Sequence, residues 1–213
     1  MFKTVVKMTA VFLSLKVDTV SLSRYDRMVD DTVSLNKGGI QMPTSTFENL
    51  NHEKQQKIEQ TLLHEFSEHS LATAQVARIV KEAGIARGAF YKYFADLKDA
   101  YQYLYAKAMR DIHQNVATAP HQLMSAQDYF EQTREFVQKV HGSRYYDLIK
   151  LHLRCNEGML PMRPIAKIPA LQWTIMTINH EAIKECLNFP TEQTMILQRL
   201  LQALQRLLEN EGD

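Results

Sequence analysis

Glycine and proline are scarce in this chain, seven and six among 213 residues. Such sparse breakers, beside many Leu, Gln, Glu, Ala and Met, favour helices over turn-rich architectures. Cysteine is nearly absent. Cys155 and Cys186 fit no metal or redox spacing, which excludes a disulfide scaffold and leaves two reduced thiols in a cytosolic protein. Net charge is only +1, so no strong basic field covers the molecule. No HExxH, P-loop or GxGxxG occurs, and His64 and His69 are five apart, the wrong spacing for a helical ligand pair. An enzyme has no constellation to stand on, and no metal or cofactor is expected. Long apolar runs are lacking too. The first fifteen residues faintly mimic a signal peptide, but the run from Met8 to Leu15 is short and Lys16 and Asp18 follow it. The segment is expected to be neither signal nor membrane anchor.

What is present is a succession of helical patterns. A first helix is expected from Glu53 to Ser67, with Ile58, Leu62, Leu63 and Phe66 on one face, and a second from Thr73 to Ala83. A third spans Ala86 to Phe94. A fourth starts near Asp96, an N-cap with Asp99 three residues on, and ends near Val116. Further candidates are Ala126 to Val140, Arg144 to Cys155 and Ala170 to Leu187, and a last helix capped by Thr191. Pro43 to Thr46 reads as a disordered start, and NEGMLPMRPIAKIP as irregular or a short helix.

Residues 73 to 98, TAQVARIVKEAGIARGAFYKYFADLK, carry the most information. They read as two short helices joined by a tight turn at Ala83-Gly84-Ile85, a helix-turn-helix. Such a unit lays its second helix in the major groove while the first crosses the backbone. Val76, Ile79, Val80 and Ala83 supply the apolar stripe of the first helix, and Gly84 tolerates positive φ in the turn. Ala86, Gly88 and Ala89 keep the second helix small at its entry. Arg78, Lys81, Arg87, Lys92 and Lys98 give a modest local basic face.

Arg87 is a candidate base or phosphate contact, since Arg forks onto guanine O6 and N7. Gly88 lets the backbone approach DNA closely, and the Ala89 methyl suits a thymine methyl. Tyr91, Lys92 and Tyr93 are phosphate or base candidates. Thr73, the nearest conventional cap for the first helix, and Gln75 are candidates at its entry. Lys98 is a further phosphate candidate.

The stretch AGIARGAFYKYF resembles the signature of the tetracycline-repressor (TetR) family, roughly A-G-[VI]-[SA]-x-G-x-[FL]-Y-x-[YH]-F. Ala83, Gly84, Ile85, Ala86, Gly88, Phe90, Tyr91, Tyr93 and Phe94 match. Two departures stand out. Gln75 replaces the usual Ser or Thr cap, and Leu97 stands where the family has Lys, with Lys98 following.

The resemblance implies an all-α fold. An N-terminal three-helix helix-turn-helix DNA-binding domain (42–97) would join a C-terminal helical ligand-binding and dimerisation domain (98–213). It also implies that helices 4 to 7 surround an effector cavity, that its occupancy moves helix 4, and that the two C-terminal helices pair with those of a second subunit. Pocket candidates are Tyr105, Met109, Tyr129, Phe136, Tyr146, His152 and Trp173. They serve equally as plain core. Candidates for the dimer interface are Ile183, Leu187, Leu197, Leu200, Leu201 and Leu204, on a leucine stripe that could instead face its own core.

Residues 1–41 look foreign to the rest and are expected to be a non-native or disordered upstream extension. The pentapeptide DTVSL occurs twice, at Asp18–Leu22 and Asp31–Leu35, with unlike flanks. As codons, Asp-Thr-Val-Ser can form an inverted repeat, TGATAC-N-GTATCA when extended, as a dimeric helix-turn-helix protein requires. Lys37-Gly38-Gly39 can be AAAGGAGG, a ribosome-binding sequence just before the Met42 codon. Translation is then expected to start at Met42, and the protein to control its own gene.

Two candidate functions emerge. The first is a homodimeric, cytoplasmic transcriptional repressor whose partners are double-stranded operator DNA, a second copy of itself and an unidentified small-molecule effector, with no membrane. The second is a helical protein-interaction module without DNA binding, which the near-neutral charge favours. Steep loss of DNA affinity with salt separates them.

Overall fold

A computed structural model describes residues 43–113, 124–160 and 168–209. The expectations for residues 1–41, and for the end of the fourth helix beyond His113, lie outside the described residues. Every regular element among the described residues is helical. We number the α-helices α1 (Ser45–Glu48), α2 (His52–Glu68), α3 (Val76–Ala83), α4 (Arg87–Tyr93), α5 (Leu97–His113), α6 (Ala126–His141), α7 (Tyr146–Leu151), α8 (Ala170–Asn188) and α9 (Gln193–Glu209).

Caps explain most of the boundaries. Asn51 accepts from the Lys54 N–H to start α2, and Ser125 and Asp128 form a capping box on α6. Asp96 accepts from the Asp99 N–H at 2.8 Å, while the Asp99 carboxylate reaches back to the Ala95 N–H at 2.7 Å, fixing the start of α5. Burial raises the Asp99 pKa and that N–H opposes the rise; the net shift is upward.

Several expectations fail locally. The stretch from Pro43 is not a disordered start, because Thr44 caps the short helix α1. The second helix begins at Val76, not Thr73, whose hydroxyl donates instead to the Ser70 carbonyl at 3.2 Å. Thr191 sits inside a 3-10 turn, Pro190–Glu192, and does not cap α9. The helix expected to reach Cys155 leaves α-geometry at His152 and continues as a π-helical stretch, His152–Asn156.

One hydrophobic core runs from Phe47 in α1 to Leu204 in α9. Helix α2 packs on α3 and also on α5 and α7, so the helix-turn-helix shares its support with the C-terminal helices. Two short helices cannot bury enough surface alone; Phe66, packed edge-on to Tyr101 at 5.0 Å, is part of the shared support. At the far end α9 lies against α8 and α6.

Candidate nucleic-acid interface

The helix-turn-helix turns at Gly84, whose φ of 67° is left-handed. The Ile85 N–H donates to the Val80 carbonyl at 3.1 Å and closes α3 in a Schellman-type cap. A Cβ on Gly84 would meet nothing nearer than Lys57 Nζ at 3.6 Å. Backbone conformation, not space, calls for glycine here.

The missing Ser or Thr cap of α3 is replaced from another helix. Glu65 of α2, itself buried, accepts the Gln75 N–H at 2.7 Å and a fork from Arg78, Nε at 2.8 Å and Nη2 at 2.6 Å. Arg78 Nη2 also donates to the Thr73 carbonyl at 2.9 Å. Burial pushes the Glu65 carboxyl up, but the Arg78 guanidinium and the Gln75 N–H outweigh it and hold it below its ordinary range. Arg78 therefore braces the fold, and the basic face loses one member. Sequence reasoning missed this pair because its partners are thirteen residues apart on different helices.

Helix α4 divides cleanly. Arg87, Gly88, Tyr91 and Lys92 are exposed; Phe90 and Phe94 are fully buried, and Ala89 is half-buried. Arg87 and Tyr91, one turn apart, share the outer face, with the guanidinium 6.0 Å from the ring centre. Tyr93 departs from its expected role. Only 4% exposed, its ring packs edge-on against Phe47 at 5.9 Å, because it falls on the same face as Phe90. Thr73 and Gln75 are exposed at the entry of α3, Lys81 is exposed in its last turn, and Lys98 is half-buried in the first turn of α5.

No Cβ contact lies within 4 Å at Gly88, so packing within the protein does not require glycine there. A second unforeseen element is α1. Thr44 donates its hydroxyl to the Lys92 carbonyl at 2.6 Å and its N–H to the Tyr93 carbonyl at 3.1 Å, while Phe47 packs on Phe94 at 5.0 Å. It brackets the end of α4.

The C-terminal candidates are only partly brought together. Tyr105 and His152 stack at 4.0 Å, with Met109 buried one turn along α5. Phe136 stacks on His113 at 5.4 Å and Tyr146 on His141 at 4.8 Å, while Tyr129 is buried on α6. Trp173 is 54% exposed and does not join them. A separate groove of ≈ 250 Å³ between α2 and α5 is lined by Gln56, Glu59, Lys107 and Arg144, and by none of these candidates.

The leucine stripe also needs correction. Ile183, Leu187, Leu197, Leu200 and Leu204 are buried in the subunit's own core, and Leu201 is half-buried. The apolar face of α9 is consumed by α8 and α6. Trp173, Phe189 and Met195 are the large apolar side chains left exposed on the α8–α9 pair.

Residues 60–99 match the family model of bacterial regulatory proteins, tetR family. No curated protein matches the chain. Among solved structures, the chain is similar to a TetR family transcriptional regulator from Chloroflexus aurantiacus J-10-FL, at 19% identity, covering 79% of this chain and 98% of that one, with a TM-score of 0.48. It is also similar to a TetR transcriptional regulator from Rhodococcus sp. RHA1, at 16% identity, covering 76% and 100%, with a TM-score of 0.39. No helix among the described residues is long and apolar enough to cross a membrane. The helix-turn-helix carried by residues 60–99 is thus that of the tetR family of bacterial regulatory proteins.

Proposed function

We propose that this regulator is a cytoplasmic homodimeric repressor, released from its operator when a small molecule binds among α5, α6 and α7. The observation that carries the DNA half is the outward face of α4. Arg87, Tyr91 and Lys92 stand exposed beside a glycine that no packing contact explains. Arg87 supplies base readout, and Tyr91, Lys92, Lys81 and the α3 entry residues Thr73 and Gln75 supply phosphate contacts. Lys98 adds a contact from the start of α5. Two-fold assembly follows from the need to read two half-sites. The exposed Trp173, Phe189 and Met195 give the α8–α9 pair a surface suited to a second copy. Residues 42–97 act as the DNA-binding part and 98–213 as the regulatory part.

A gel-shift salt series tests it. Specific affinity should fall steeply between about 50 and 200 mM salt, as phosphate neutralisation releases counterions. Affinity that ignores salt would favour the protein-interaction module instead.

A further inference from the structure

The repeated DTVSL, at Asp18–Leu22 and Asp31–Leu35, lies outside the described residues. We propose that the DNA encoding residues 17–39 is this protein's own control region, a promoter bearing two copies of the operator. The proposal rests on the DNA-binding reading above and names the partner of that site.

Asp-Thr-Val-Ser is encoded GAY ACN GTN TCN when serine uses its TCN codons. Around the third base of the threonine codon, four of the five flanking pairs are complementary whatever the other codon choices. Only the third bases of the Asp and Val codons are left to codon usage. Both copies share this property, at Asp18–Ser21 and Asp31–Ser34. The Val17 and Asp30 codons can end in T and the serine codons in A, giving TGAYAC-N-GTRTCA.

The dyad has the dimensions that a paired helix-turn-helix needs. Its outer G·C pairs come from the first base of the Asp codon and the second base of the Ser codon. They lie ten base pairs apart, one turn of B-DNA, as two recognition helices require. The exposed Arg87 of each subunit offers a fork suited to each guanine.

An independent pattern occupies the same stretch. The last two bases of the Val17 codon, the Asp18 codon and the first base of the Thr19 codon read TNGAYA, matching the bacterial promoter hexamer TTGACA at every fixed base. Tyr25-Asp26 reads TAYGAY, which includes TATGAT, one base from TATAAT. Seventeen base pairs separate the two hexamers, the spacing that bacterial RNA polymerase favours. The first dyad overlaps the upstream hexamer. The second begins eleven base pairs past the downstream one, just beyond where transcripts would start. Lys37-Gly38-Gly39 then supplies the ribosome-binding sequence, and Met42 the start codon. All described elements lie downstream of Met42, including Thr44, which brackets α4.

DNase footprinting of the natural gene with the full 213-residue chain tests the proposal, beside selection of binding sites from random duplexes. Two protected windows should centre on the Thr19 and Thr32 codons, and selection should return TGAYAC-N-GTRTCA. Replacing the outer guanines should weaken binding about tenfold or more. Selection of a different sequence, with no protection of the gene fragment, overturns the operator and leaves DNA binding standing. No selected sequence at all overturns both. Mass spectrometry of the protein made from its natural gene should find Met42 as the first residue; a product that retains residues 1–41 overturns initiation there.

Discussion

The Leu71 N–H donates to Asn156 Oδ1 at 2.9 Å, joining the turn before α3 to the end of the π-helical stretch 85 residues later. Asn156 Nδ2 in turn donates to Tyr101 Oη at 3.3 Å, and that hydroxyl lies 2.9 Å from His152 Nδ1. With neutral His152 accepting, the tyrosine is both donor and acceptor. Asn156→Ala removes the bonds to Leu71 and Tyr101 and strands the Leu71 N–H. The cost should be about 1–3 kcal/mol, read from urea unfolding. An unchanged midpoint would show that the chain carries no stability.

His152 makes the same chain pH-sensitive. Burial pulls its pKa down to about 4, from an ordinary 6.5, with Glu157 opposing and His180 assisting. The folded state keeps the ring neutral while the unfolded chain takes up a proton below pH 6.5. Its contribution is therefore complete above pH 6.5 and is lost as pH falls from 6.5 toward 4. The full loss is on the order of 3 kcal/mol. Denaturation midpoints between pH 7 and 5 should decline, and His152→Gln should flatten that decline.

Glycine replacements separate fold from DNA contact. Gly84→Ala forces a Cβ into a left-handed turn and should cost about 1 kcal/mol or more. Gly88→Ala meets no neighbour, so stability should hold or rise by up to about 1 kcal/mol while DNA affinity falls. Arg87→Ala should leave folding intact and cost roughly 1–3 kcal/mol of specific binding per half-site. Full operator affinity in both Gly88→Ala and Arg87→Ala would remove α4 from the groove.

The leucine stripe and the exposed aromatics make opposite predictions. Leu204, fully buried, should cost about 2–5 kcal/mol of folding stability as Leu204→Ala. Trp173→Ala and Met195→Ala should leave the thermal midpoint of the monomer nearly unchanged and shift sedimentation toward monomer. A stable dimer in the double variant would place the interface elsewhere.

The helix-turn-helix was legible because its signals are local. Gly84 fixes the turn, Phe90 and Phe94 fall one turn apart, and Asp96 caps the next helix. The bracket of α1 was hidden, since four residues show no period and Thr44 finds its partner 48 residues away. The Glu65–Arg78 fork was hidden for the same reason. On α9 the spacing revealed an apolar face, but amphipathicity does not say whether a neighbouring helix or another molecule covers it. Tyr93 was misplaced because a tyrosine's polar tip drew attention from the face its ring shares with Phe90.

Helix α5 runs unbroken for 17 residues, about 25 Å, from the Asp96 cap to His113. Its first turn follows α4 directly, and its middle carries Tyr101 and Tyr105 against His152. It is a lever of known length. Pivoted at its far end, a tilt of about 5° would carry the α4 end by about 2 Å. In a two-fold pair the displacements add to about 4 Å, more than the rise of one base pair. On the proposed repressor reading, a tilt of that size would carry the two α4 helices out of step with the groove.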